Sequence, residues 1–120
     1  MKNADIYLRA MMSLIARQTF APDALANIIS PVANQKTYEA YNLFDGTRTQ
    51  TEVAKEVSSD AGLLSRTVKR WVDDGIMIKV TDEGTIRPMH VYPLPERLIQ
   101  SARKKGKGFS NGGRVDSAEA

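Results

Sequence analysis

The sequence predicts one mainly α-helical domain that carries a small β-hairpin. Two observations predict this class. Apolar residues recur at helical spacing in several segments between residues 4 and 74, with breaks at Ser30-Pro31 and Asp45-Gly46. After Gly75 the period changes to alternation, and a second alternating segment follows a turn at residues 81–85. With 120 residues and 42% hydrophobic content, the chain is long enough to bury one core.

Composition excludes several classes of protein. The chain has no cysteine, so disulfides and thiolate metal sites are excluded. No apolar run is long enough to cross a bilayer, and charge at Asp5 and Arg9 interrupts any signal-peptide core, so we expect a soluble cytoplasmic protein. The net charge of +3 is unevenly distributed: residues 1–60 hold 6 Lys/Arg and 7 Asp/Glu, and residues 61–120 hold 11 and 7. The basic half is the one that favours an anionic partner.

The first predicted helix, residues 4–18, has an unusually narrow polar stripe, because polar side chains recur only at every fourth position. Such a helix must be covered on most of its circumference. Either it occupies the centre of the domain or it packs against a second subunit, and periodicity does not separate the two. On the second reading the protein is a homodimer, and the predicted dimerisation residues are Leu8, Met11, Met12 and Ile15.

Two further helices precede the basic half. Pro22 suits the first turn of a helix that runs to about Ile29. A third helix is predicted from Asn34 to Phe44, with Tyr38 and Tyr41 on its apolar side. Both segments are typical of core packing.

The next segment starts with a capping box. Thr49 precedes Glu52 by three residues, so each side chain can bond the other's backbone amide, and a helix begins there. Asp60 can cap a second helix over residues 61–74, which ends before Gly75. The alternating segment that follows is expected to turn Ile76, Ile78 and Val80 to one face and Met77 and Lys79 to the other.

The second strand is predicted at about residues 86–92, antiparallel to the first, with Pro88 tolerable at an edge or a bulge. A short helix follows over residues 95–105. The remaining residues, 106–120, have too little apolar content to pack and are expected to be disordered.

Residues 43–80 read LFDGTRTQTEVAKEVSSDAGLLSRTVKRWVDDGIMIKV, a helix, a short turn, a basic helix and the start of a hairpin. This stretch resembles the core of the MarR/ArsR-type transcription regulators, which implies a winged helix-turn-helix fold. Two residues depart from the family pattern: Ser59 stands where an aliphatic residue usually fills the turn, and Trp71 replaces a common leucine. Together with the elements on either side of it, the sequence predicts four parts: an N-terminal helical extension (1–33), the winged helix-turn-helix domain (34–92), a C-terminal helix (93–105) and the tail (106–120).

This resemblance implies that the protein binds double-stranded DNA and regulates transcription, most simply as a repressor. With Leu64, Val68 and Trp71 buried, the helix over residues 61–74 turns a basic face outward. Arg66 is predicted to bond a guanine edge and Leu63 to touch a thymine methyl group. The acidic hairpin tip predicts a weak or absent wing contact. The full set of predicted DNA-contacting residues is Thr49, Thr51, Ser59, Gly62, Leu63, Ser65, Arg66, Lys69, Arg70 and Arg87.

Two other functions are considered. An enzyme is not expected, because the only histidine, His90, has no neighbouring nucleophile or ligand pattern and no phosphate-binding loop is present; no metal or cofactor is expected either. The serious alternative is a winged-helix interaction module whose basic face or hairpin edge docks an acidic protein. The sequence does not indicate a target operator or a small-molecule effector.

Overall fold

The computed structural model describes the backbone of residues 3–111, and the side chains of residues 3–81 and 83–103. The predicted class is confirmed: the described chain is mainly helical with one antiparallel hairpin. The elements in order are α1 (Asn3–Thr19), α2 (Pro22–Ile29), α3 (Gln35–Leu43), α4 (Gln50–Glu56), α5 (Ala61–Asp73), β1 (Met77–Asp82), β2 (Thr85–His90) and α6 (Glu96–Asn111).

Side-chain caps begin three of the helices. Asn34 accepts a hydrogen bond from the Thr37 amide at the start of α3. The predicted capping box is confirmed, with both of its hydrogen bonds formed between Thr49 and Glu52. Asp60 accepts from the Leu63 amide at 2.8 Å and so begins α5. These bonds satisfy amide groups that a helix start otherwise leaves unpaired.

An aromatic cluster forms the centre of the core. Tyr41 and Trp71 meet edge to face with ring centroids 5.4 Å apart, and Phe44 lies 6.3 Å from Trp71. The Trp71 indole N–H donates to the Ile29 carbonyl at 3.0 Å. The Tyr41 hydroxyl lies 3.1 Å from the carbonyl oxygens of Ile76 and of Tyr92, and burial raises the pKa of Tyr41 well above its usual range. The cluster therefore joins α2, α3, α5 and both ends of the hairpin.

The hairpin corrects the predicted facing of its first strand. Met77 is buried, whereas Ile78 is 40% exposed. Ile76 is buried too, but its amide still bonds the Trp71 carbonyl at the end of α5. Because Ile76 precedes the strand, which begins at Met77, burial does not follow the predicted alternation: Ile76 and Met77 are both buried, Ile78 and Lys79 are both exposed, and Val80 is half-buried. Gly75 has a φ of +82°, as its predicted place at the helix end requires.

The second strand is bonded on both sides. It pairs with β1 from Met77 opposite His90 to Asp82 opposite Thr85, around a tight turn. On its other side the His90 amide donates to the Phe44 carbonyl at 2.7 Å, and the Pro88 carbonyl accepts from the Gly46 amide at 3.1 Å. The hairpin is thereby tied to the end of α3.

The C-terminal helix is longer than predicted. It continues through Asn111, so residues 106–111, expected to be disordered, are helical; the rest of the predicted tail lies outside the described residues. No proline interrupts the chain after Pro95, and the glycines at 106 and 108 lower helix propensity without ending the helix. Ile99 and Ala102 face the core as predicted.

The structure rules out one of the two readings of α1. A central position is wrong, because Ala16 is the one buried residue of this helix. Met12 lies one turn before Ala16, is half-buried and packs against the domain's own core, so it is less available to a second subunit than predicted. The other three predicted dimerisation residues, Leu8, Met11 and Ile15, are exposed.

Candidate nucleic-acid interface

The turn between α4 and α5 is closed by backbone hydrogen bonds. Ser58 adopts a left-handed φ of +55°, and the next amide, that of Ser59, reaches back to the Ala54 carbonyl at 2.8 Å. Lys36, on α3, donates to the Ser58 carbonyl at 3.1 Å. The turn is thus held both by its own backbone and by a neighbouring helix. Sequence reasoning missed the Lys36 contact, because nothing local in the sequence marks a bond between residues 22 positions apart.

The inner face of α5 is the predicted one. Leu64, Val68 and Trp71 are buried, and all three belong to the same core cluster as Val53 and Ala54 of α4. Residues at this spacing share one side of a helix. The opposite side must therefore face outward, whatever else the protein binds.

That outer face is basic along the first turns of the helix. At 100° per residue, Gly62, Arg66 and Lys69 fall within an arc of about 60°, opposite the buried row. All three are exposed. Within the part of the chain whose side chains are described, Arg66 and Lys69 form no hydrogen bond or ion pair. Both cations are available to an external anion.

Arg70 has an intramolecular role. Its guanidinium donates to the carbonyl of Ile28 at 2.9 Å and to that of Ile29 at 2.7 Å, and it lies 3.7 Å from the Asp74 carboxylate. These carbonyls are at the C-terminal end of α2, where cations are favoured. The prediction that Arg70 lies beside a phosphate loses its basis, because the structure gives its side chain these partners instead.

The residues that flank this face are placed as follows. Leu63 is an apolar side chain next to Gly62, and 52% of it is exposed. Ser65 is exposed on one flank of α5. Ser59 is half-buried and lines a cleft of about 160 Å³ between α3 and α5, together with Val57 and Leu63. The cleft lies beside the turn between α4 and α5.

The start of α4 holds the remaining predicted residues. The Thr49 hydroxyl accepts from the Glu52 amide, and Thr51 is exposed on the first turn. Hydrogen bonds with Thr49 lower the pKa of Glu52, and the charges of Arg87 and Arg48 lower it further. Arg87, on β2, therefore lies close enough to this carboxylate to interact with it.

Comparison with protein-family models, with curated protein sequences and with solved structures gives no match. Among the described residues, no group of three or more His, Asp or Glu side chains is placed to hold a metal ion. No helix within residues 3–111 has the length and apolar character needed to cross a bilayer.

Proposed function

We propose that the protein is a winged helix-turn-helix transcription regulator that binds double-stranded DNA with α5 in the major groove. One observation carries the proposal: Arg66 and Lys69 have no partner among the described side chains and project from the face of α5 opposite its buried row. The order of α4, turn, α5 and hairpin agrees with this class. A solvated basic face is the alternative explanation of the charges, and the experiment below separates the two.

The first turns of α5 supply the chemistry that base recognition needs. Arg66 has parallel N–H donors that match the O6 and N7 acceptors of guanine. Gly62 lies one turn earlier on the same face, where the absence of a side chain lets the backbone approach base edges. Leu63 offers an apolar surface to a thymine methyl group. Lys69 lies further along the helix and contacts a phosphate.

Neutral and peripheral groups complete the proposed contact. Thr51 on α4 and Ser65 on α5 are exposed hydroxyls, suited to phosphate oxygens. Arg87 lies on β2 near the Glu52 carboxylate, and its charge lowers the pKa of that group, so we assign it a peripheral part in the contact. The exposed Glu83 at the hairpin turn repels phosphate, so the wing adds little affinity.

Salt dependence of duplex binding tests the proposal. Lys69 neutralises about one phosphate per α5, which predicts a slope of log affinity against log salt near −1 for one bound copy and near −2 for two copies. We expect Lys69→Ala to reduce this slope by about one per copy and to weaken all duplex sequences alike. Arg97→Ala is the matched control, because it removes an exposed cation on α6 that lies 4.0 Å from Asp23.

Two results would contradict the proposal. One is an affinity for duplex that does not change with salt. The other is equal loss of binding in Lys69→Ala and Arg97→Ala, which would mean that net charge rather than the α5 face attracts DNA. Binding to an acidic protein in place of duplex, abolished by Arg66→Ala, would favour the interaction-module alternative.

A further inference from the structure

An ordinary amphipathic helix packs against its domain with its apolar side. The first helix instead packs with the side that carries its arginines. Its two arginines contact the domain: Arg9 donates to the Asp45 carbonyl at 3.3 Å, and the Arg17 guanidinium lies 4.6 Å from the centre of the Tyr92 ring. Ala16 is the one residue of α1 that is buried. The apolar side of α1 is therefore left without a partner among the residues whose side chains the structure describes.

We call this exposed side the α1 face, and it is large. Five apolar side chains form it, and each is between 56% and 67% exposed: Tyr7, Leu8, Met11, Leu14 and Ile15. Together they expose on the order of 600 Å², the upper end of the largest apolar patch on a typical monomer. Two such faces pressed together remove about 1,200 Å² from water, the lower end for a stable protein interface.

The α1 face has a symmetric sequence. Taking Met11 as the centre, Leu8 and Leu14 stand three residues before and after it, and Tyr7 and Ile15 stand four residues before and after it. A two-fold axis through Met11 would place each Leu8 opposite Leu14 of a second copy, and each Tyr7 opposite Ile15. A two-fold interface needs this self-complementarity, because the same patch serves both subunits.

The charges of α1 favour a second copy over other occupants. The α1 face holds no charged residue, so its partner surface needs none. A helix that lies on a membrane carries Lys or Arg ready to meet lipid headgroups, whereas Arg9 and Arg17 are directed at their own domain. Two antiparallel helices also bring opposite dipole ends together.

We propose that the protein is a homodimer in which two α1 helices pair antiparallel about a two-fold axis at Met11. This inference does not depend on DNA binding, and its test requires no DNA. Of the residues predicted from sequence, Leu8, Met11 and Ile15 remain in the interface, and the structure adds Tyr7 and Leu14.

Cysteine cross-linking tests the geometry directly, because the chain has no cysteine of its own. Under mild oxidation by dissolved oxygen, two thiols at the axis join as a disulfide, so Met11→Cys is expected to give a covalent dimer. Tyr7→Cys alone is expected to stay monomeric on a denaturing gel. Its two copies would be offset by eight residues, about 12 Å along the helix, which is beyond disulfide reach. A mixture of Tyr7→Cys and Ile15→Cys is expected to cross-link.

Molar mass in solution supplies the second readout. At tens of micromolar we expect the native chain to have the mass of a dimer. Leu14→Glu should raise the dimer dissociation constant at least about 100-fold, since the substitution acts twice across the axis. Val32→Glu is the matched control, because Val32 is an exposed apolar residue outside the α1 face, and its dimer should persist.

Three outcomes would overturn the inference. A native chain that is monomeric at these concentrations would leave the α1 face for a different partner. Cross-linking of Tyr7→Cys alone as efficiently as Met11→Cys would mean that the helices run parallel. Dimers that survive Leu14→Glu with unchanged affinity would mean that another surface holds them.

Discussion

Arg66 and Arg70 lie four residues apart on α5, and replacing each by alanine separates binding from stability. Arg66 has no partner among the described side chains, so Arg66→Ala should change the free energy of unfolding by less than about 0.5 kcal/mol. The same variant should lose roughly 1–3 kcal/mol of DNA-binding free energy, a five- to 150-fold weaker affinity, with most of the loss at one guanine.

Arg70→Ala should behave in the opposite way. It removes two hydrogen bonds to carbonyls at the end of α2, at 2.9 and 2.7 Å, and an exposed ion pair with Asp74. The side chain is 43% exposed and the ion pair contributes little, so the expected loss of unfolding free energy is about 1–2 kcal/mol. Its DNA affinity, measured where the variant is fully folded, should stay within about threefold of the native value.

Two assays are needed. Urea unfolding, monitored by tryptophan fluorescence, gives the stability of each variant. Fluorescence anisotropy gives its affinity for a DNA duplex that the native protein has selected from a pool of random sequences. Trp71 is the single tryptophan and lies in the core, so its emission reports global unfolding. Equal effects of the two substitutions on DNA affinity, or destabilisation by Arg66→Ala as large as that by Arg70→Ala, would refute the assignment of roles.

Three further predictions concern stability. Burial lowers the pKa of His90, so its neutral form is favoured in the folded state. The contribution of His90 to the free energy of unfolding should be complete above about pH 6.5 and should fall on acidification below that pH, by at most about 1.4 kcal/mol per pH unit. His90→Phe should flatten this part of the pH profile measured by urea unfolding. Ser58→Gly should stabilise the fold by roughly 0.5–1 kcal/mol in thermal unfolding, because glycine adopts the φ of +55° without strain; an unchanged or lower melting temperature would contradict this. Tyr41→Phe should cost about 1–2 kcal/mol in urea unfolding, because its buried hydroxyl lies 3.1 Å from two carbonyls, and a cost near zero would mean that this contact does not contribute.

Local signals in the sequence predicted the elements around the site well. Thr49 and Glu52 form the capping box that their spacing indicates, and Asp60 begins α5 as expected. The buried row of α5 follows from helical periodicity alone. These features depend on residues within a few positions of one another, so one sequence is enough to predict them.

Long-range contacts explain what the sequence did not predict. Arg70 bonds carbonyls more than 40 positions away, so periodicity indicates only that it is exposed and not what holds it. Ile76 and Met77 are both buried, because the backbone of Ile76 still bonds the end of α5 and the strand begins only at Met77. The orientation of α1 depends on contacts of Arg9 and Arg17 with distant residues, so a narrow polar stripe was compatible with two opposite packings.

The most direct test of the central claim is a chemical-shift map of the ¹⁵N-labelled protein during titration with duplex DNA at about 50 mM salt. We predict that the amides of residues 61–69 shift first and most, led by Gly62, Leu63 and Arg66, with smaller shifts at Thr51. Residues of α6 should remain unperturbed. An absence of shifts at low salt, or shifts confined to α1 or α6, would contradict the assignment of α5 as the DNA-binding helix.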